Sequence, residues 1–121
     1  MAKVLIVDDS PAQVLNLSTL IENWGHCVIS AENGNQALQI ARDESPDVIL
    51  MDVVMPGMSG FQTTRKLSKD LATCRIPIIF VSKKSGEADR IWGMRQGATA
   101  YVTKPVNPEK LLIAISDAIA A

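Results

Sequence analysis

The sequence predicts an α/β fold in which a βα unit is repeated five times, giving a doubly wound, five-stranded parallel sheet. Two observations predict it. Five short apolar runs are separated by longer amphipathic stretches, and the first, third and fourth runs are continuously apolar instead of alternating, as central parallel strands covered on both faces require. In addition, the connections carry Ser or Asn just ahead of a glycine or proline, the punctuation of helix starts.

The elements follow in chain order. Val4-Leu5-Ile6-Val7 is the first strand, and Ser10 before Pro11 caps the helix after it, proline being tolerated at the first helical position. Gly25, after Asn23-Trp24, ends that helix with a residue that adopts a left-handed backbone. Cys27-Val28-Ile29 is a second strand of edge character, and Asn33 before Gly34 opens the second helix. Val48-Ile49-Leu50-Met51 is the third strand; beyond the Pro56-Gly57 turn, Ser59-Gly60 opens the third helix. Ile78-Ile79-Phe80-Val81 is the fourth strand, and Ser85-Gly86 opens a helix that stops at Gly97. Here Ala88, Ile91 and Met94 or Arg95 recur at helical spacing, which turns Ile91 toward the sheet and leaves Trp92 partly exposed. Ala100-Tyr101-Val102 is the other edge strand, and Asn107-Pro108 opens a last helix running nearly to Ala121.

Bulk properties narrow the function. At 121 residues the chain has room for one domain, 1–121. Its net charge of −1, with acidic and basic residues interspersed, leaves no basic stripe for nucleic-acid phosphates. After Met1-Ala2-Lys3 only four apolar residues, Val4 to Val7, precede Asp8-Asp9, too few for a signal-peptide core or membrane span, so a cytoplasmic location is expected. Cys27 and Cys74 show no zinc or disulfide spacing and read as reduced packing residues, and the single His26 reads as structural.

Open parallel sheets bind their ligands beyond the carboxyl ends of the strands. Asp8 and Asp9 follow the first strand, Asp52 ends the third, Ser82 follows the fourth, and Lys104-Pro105 follows the fifth. Ser10 already caps the first helix, which leaves the two neighbouring carboxylates without a local backbone task. Three carboxylates in one cleft repel each other and raise their pKa values unless a cation joins them. All-oxygen ligation without His or Cys favours Mg²⁺ or Mn²⁺. A carboxylate can also attack phosphorus to form an acyl phosphate, with catalysis supplied by positioning and charge neutralisation. Asp52, Lys104 and Ser82 are the parts such a reaction uses.

From Val4-Leu5-Ile6-Val7-Asp8-Asp9-Ser10 to the last helix, the chain resembles the receiver domain of bacterial response regulators, with five separated positions matching in order. The stretch Pro46–Gly60 is close to that family's pattern around its phosphorylated aspartate. The resemblance implies a CheY-like sheet of order 2-1-3-4-5 and Asp52 as the acceptor. It implies Asp9 and Asp52 as side-chain Mg²⁺ ligands, Asp8 acting through water, the backbone carbonyl of Val54 as a further ligand, and Lys104 paired with the phosphoryl group. Ser82 stands at the switch hydroxyl and Tyr101 at the switch aromatic, and the Lys104-Pro105 bond is expected to be cis. The implied function is a non-enzymatic, stand-alone switch. A histidine kinase of the CheA-like kind donates the phosphoryl group, and a protein partner reads the face formed by the fourth helix, fifth strand and fifth helix. Trp92 either packs on a neighbouring helix or anchors that partner, rimmed by Arg90 and Arg95. Within the family, Asp89–Ala98 resembles the single-domain regulators of type IV pilus twitching motility, the PilH-like and PilG-like group.

Two positions depart from the family pattern: Lys83 follows Ser82 where a small residue is usual, and Val54 stands where polar side chains are frequent. A long cation at Lys83 screens an acyl phosphate from water or adds positive charge, which predicts an altered hydrolysis rate. A phosphohydrolase would need a second acid two residues after Asp52, where Val54 stands. A flavin-binding domain is opposed by the acidic rim and by the absence of a phosphate-cradling loop.

Overall fold

The computed structural model describes residues 1–120. Strands β1 (Lys3–Val7), β2 (Cys27–Ala31), β3 (Val48–Met51), β4 (Ile78–Ser82) and β5 (Ala100–Thr103) alternate with helices α1 (Pro11–Asn23), α2 (Gly34–Glu44), α3 (Gly60–Lys69), α4 (Glu87–Arg95) and α5 (Pro108–Ala120). The sheet has the expected order, β2-β1-β3-β4-β5, and every pairing is parallel.

The continuous apolar runs have a direct cause: the sheet separates two cores. Leu5, Val7, Ile49, Met51, Ile78 and Phe80 face one of them, together with Ala37, Ala41 and Leu67 of α2 and α3. Val4, Ile6, Val48, Leu50, Ile79 and Val81 face the other, against Leu17 and Ile21 of α1 and Leu111 and Ile115 of α5. Successive residues of a central strand therefore serve opposite cores, and neither face can be polar. Each fully buried aliphatic or aromatic side chain contributes roughly 1.5–3 kcal/mol.

The helix starts follow local chemistry. Ser10, Asn33 and Asn107 accept hydrogen bonds from the amides of Gln13, Gln36 and Lys110. Ser59 and Gln62 form a reciprocal capping box. Gly25 (φ 91°) and Gly97 (φ 114°) take the left-handed backbone expected at their helix ends. Ser45, at φ 45°, ends α2 the same way, an unforeseen use of a non-glycine residue. The Lys104-Pro105 bond is cis, and His26 is structural, its Nδ1 accepting from the Ala2 amide at 3.1 Å.

Three expectations fail. Ser85 is not a cap: α4 begins one residue later behind Gly86, without a side-chain cap. The phase of α4 is also different. Its inward stripe is Asp89, Gly93 and Gln96, so Ile91, two residues and about 200° from Gly93, points outward and is 48% exposed. Nor are Cys27 and Cys74 packing residues; both thiols are free and exposed, Cys27 because it opens an edge strand and Cys74 because it lies in the α3–β4 connection. No helix among the described residues is long and apolar enough to cross a membrane.

One side chain conflicts with its surroundings. The Thr64 hydroxyl on α3 is buried and has no hydrogen-bond partner. Thr64→Val keeps the shape and removes the desolvated hydroxyl, so a stabilisation of about 1 kcal/mol is expected, read as a thermal midpoint about 4 °C higher. A lower midpoint would mean that the hydroxyl is satisfied.

Candidate functional site

The pairing of β1 with β3 builds the site. Val7 lies opposite Met51, and the Asp52 amide donates to the Val7 carbonyl at 2.9 Å, so the residues that follow both strands leave the sheet side by side. Asp8, Asp9 and Asp52 each offer a carboxylate oxygen, and the three atoms lie within 4.8 Å of one another. They grade from buried Asp8 through part-buried Asp52 to exposed Asp9, so the cluster opens to solvent on the Asp9 side.

Lys104 arrives from the far edge. The Lys104 amide donates to the Ser82 carbonyl at 2.8 Å, and Nζ donates to Asp8 Oδ2 at 2.9 Å while standing 3.8 Å from Asp52 Oδ2. Both Lys104 and Asp8 side chains are almost fully buried. Asp8 Oδ1 accepts from the Ser10 amide at 2.9 Å, which corrects the expectation that Asp8 has no backbone task. That bond helps to offset the desolvation of a buried ion pair.

Asp52 is where the charge balance is least settled. Burial raises its pKa above the usual carboxylate range; the Lys104 cation opposes this, Asp8 adds to it, the Val53 amide opposes it, and Asp9 adds a smaller rise. A partly desolvated carboxylate beside two others, with the nearest cation engaged elsewhere, is a good seat for an oxygen-seeking cation. The donor set is all oxygen, as Mg²⁺ prefers.

Ser82 ends β4 fully buried; its Oγ accepts from the Lys84 amide at 3.1 Å, and its hydroxyl lies within reach of the Tyr101 hydroxyl. The Tyr101 hydroxyl donates to the Lys84 carbonyl at 2.5 Å, and its ring packs on Phe80 with centroids 5.7 Å apart. Burial raises the Tyr101 pKa; a hydrogen bond with the Ser82 side chain opposes the rise, and Asp89 and Asp52 add to it. Val54 is 59% exposed on the turn after Asp52, and Lys83 is exposed beside Ser82. Trp92 and Arg95 lie away from this cluster, on the exposed side of α4.

Gly60 supports the site in a way its place at a helix start did not disclose. Its amide donates to the Val53 carbonyl at 2.8 Å, and a Cβ there would collide with the carbonyl of Asp52. α3 can therefore press directly on the backbone of Asp52. Gly93 and Gln96, which position α4, were missed because neither has an apolar side chain to mark an inward face.

Fold and site together define a doubly wound α/β domain with an acidic, cation-seeking cleft and a buried lysine at the carboxyl edge of its sheet. The chain belongs to the response regulator receiver domain family, whose model matches residues 4–116. It is 52% identical over 120 residues to the protein PilH of Pseudomonas aeruginosa, with 99% of each chain covered. It is 41% identical to the response regulator PleD of Caulobacter vibrioides over 88% of this chain but 23% of that protein. Among solved structures, the chemotaxis protein CheY4 of Vibrio cholerae superimposes with a TM-score of 0.90 at 34% identity, covering 98% of both chains. The receiver domain of a sensor histidine kinase from Pseudomonas aeruginosa, with a magnesium ion coordinated in its active-site cleft, gives 0.91 at 26% identity, covering 99% of this chain and 98% of that one. Receiver domains bind Mg²⁺ at such an acidic pocket, are phosphorylated on an aspartate and act as signalling switches.

The raised pKa of Asp52 has a sign that can be tested. Below the ordinary value of 3.8 the group is protonated in both folded and unfolded chains and costs nothing. As pH rises from there through the higher folded value, the unfolded chain ionises first and folding stability falls. Asp52→Asn should thus have the higher thermal midpoint at pH 7, and the gain should vanish as pH falls below 3.8. A pH-independent difference would assign the effect to something other than titration.

Proposed function

We propose that residues 1–121 form a stand-alone phospho-acceptor switch in which Asp52 takes a phosphoryl group from the phosphohistidine of a CheA-like kinase. The observation that carries this reading is Asp52 itself: a part-buried carboxylate of raised pKa at an open rim, flanked by Asp9, with the Lys104 ammonium 3.8 Å away. In the transfer, an Asp52 oxygen forms a bond to phosphorus as the phosphorus–nitrogen bond breaks, and the leaving imidazole takes up a proton. Asp9 and Asp52 by their side chains, Val54 by its carbonyl and Asp8 through water would hold Mg²⁺. The ion supplies charge neutralisation for the carboxylates and the phosphoryl oxygens.

The protein's own groups do the rest. Lys104 is near enough to pair with a phosphoryl oxygen while its Asp8 contact keeps it at the rim. The Ser82 hydroxyl can turn from Tyr101 to donate to a second oxygen. A charge-assisted hydrogen bond of that kind contributes about 1.5–3 kcal/mol, whereas turning an equilibrium from 1:99 to 99:1 needs about 5.5 kcal/mol. Ser82 alone therefore gives a partial population shift. The change passes through Tyr101 to a partner-binding face that includes Trp92 and Arg95. The phosphoryl group alters the protein's own surface and no second substrate is transformed, so the domain is read as a signalling module and not an enzyme, placed in the cytoplasm.

Incubation with acetyl phosphate and Mg²⁺ followed by intact mass tests the reading. Wild type should gain one phosphoryl group and Asp52→Asn none; a wild-type chain that stays unmodified overturns it. Lys83 supplies a second measurement. Its exposed ammonium follows the buried Ser82, so Lys83→Ala should change the half-life of the phosphorylated form several-fold at fixed Mg²⁺, and an unchanged half-life removes Lys83 from the site.

A further inference from the structure

Away from the phosphoryl site the charges of this chain are unevenly placed. Between Asp52 and Glu87 stand six cations, Arg65, Lys66, Lys69, Arg75, Lys83 and Lys84, and a single carboxylate, Asp70. That carboxylate is already engaged. Its Oδ1 accepts from the Ala72 amide at 2.9 Å, and its Oδ2 lies 2.6 Å from Arg42 Nη2 of α2.

Arg65, Lys66 and Lys69 all belong to α3, all are exposed, and none is in an ion pair among the described residues. The dipole of α3 favours a cation in its last turn. It does not account for three together, because Arg65 and Lys69 stand four residues apart, where like charges repel. α3 itself carries no acidic residue to relieve that repulsion.

The row is held against α4. Arg65 Nε donates to Gln96 Oε1 at 2.9 Å, which fixes the guanidinium and leaves its Nη edge for a carboxylate. Trp92 stands one turn before Gln96, on the same flank of α4, and is 46% exposed. An exposed indole therefore borders the cations, and Trp and Arg are among the side chains that most often anchor a protein partner. Asp89, three residues before Trp92, bounds the patch on the side nearer the phosphoryl site.

We propose that Arg65, Lys66 and Lys69, with Trp92 at their border, form a docking surface for an acidic helix of a protein partner. The surface is built without β5 or α5, so it is distinct from the face assigned to the switch, with which it shares only α4. Arg65 and Lys69 are about 6 Å apart along the helix axis, the spacing of glutamates at i and i+4 on a second helix, and an apolar residue beside them would cover Trp92. A nucleic acid is a poorer match, since three cations neutralise few phosphates and the chain as a whole carries −1. A lipid surface is a poorer match because α3 exposes no large apolar side chain to insert.

NMR of the unphosphorylated protein at low salt tests the surface, with a helical peptide of about 15 residues that carries a row of glutamates and one leucine. The α3 amides and the Trp92 indole should shift together, and binding should weaken several-fold when salt is raised to about 0.15 M. The double variant Lys66→Glu/Lys69→Glu should bind on the order of tenfold more weakly, and Lys66→Gln/Lys69→Gln should lose less. Lys110→Glu, on α5, should bind as wild type does, and so should Asp52→Asn, which keeps the result independent of the phospho-acceptor reading. Absence of shifts at millimolar peptide, shifts confined to β5 and α5, or full binding by the Lys66/Lys69 variants overturns the proposal. Tighter binding of a DNA duplex or of phosphatidylglycerol vesicles through the same lysines also overturns it, as do concentration-dependent shifts on α3 without peptide, which would make the occupant a second copy of the chain.

Discussion

The ion pair between Lys104 and Asp8 links residues 96 positions apart and holds the two ends of the fold's chemistry at one rim. Burying two charges is costly, and such a pair survives only where geometry and further hydrogen bonds offset the loss of water. Here the Ser10 amide binds the second oxygen of Asp8, and the Lys104 amide is tied to the Ser82 carbonyl, so each partner is fixed by its own backbone surroundings. The same pair decides the state of Asp52. Because the ammonium donates to Asp8, Asp52 has a cation at 3.8 Å instead of a direct partner, and its burial is left only partly compensated.

That partial compensation fits a nucleophile better than a structural carboxylate. An Asp52 held in a direct ion pair would be less available to attack phosphorus, and one without any nearby cation would be protonated over more of the pH range. The sheet supplies the compromise through register: Val7 opposite Met51 sets Asp8 beside Asp52, and Ser82 opposite Thr103 sets the Ser82 hydroxyl and the Lys104 ammonium on the same edge. Gly60 completes it by letting α3 lie against the Asp52 carbonyl.

The sheet and the acidic cluster were legible in the sequence because their signals are short-range and sit in side chains. A strand buried on both faces must be continuously apolar, a helix start needs a capping oxygen, and a strand followed by Asp, Ser or Lys declares what reaches the carboxyl edge. α4 was legible in period and not in phase. Its inward positions are Asp89, Gly93 and Gln96, while its large apolar residues Ile91, Trp92 and Met94 are 45–48% exposed, so the rule that apolar residues face inward points the wrong way. The cysteines misled for a related reason, since a residue type that is usually buried stands at an edge and in a connection. The local bond from Ser10 to Asp8 was missed because the cap of α1 is complete without it.

The misread phase of α4 is informative because of what the outward residues would otherwise do. A helix that buried Ile91 and Met94 would be locked to the sheet by side-chain packing worth roughly 1.5–3 kcal/mol for each residue. That is as large as the 1.5–3 kcal/mol that one charge-assisted hydrogen bond at Ser82 can supply. Seating α4 on a glycine removes that resistance and leaves the apolar side chains on the surface, where they can contact a partner.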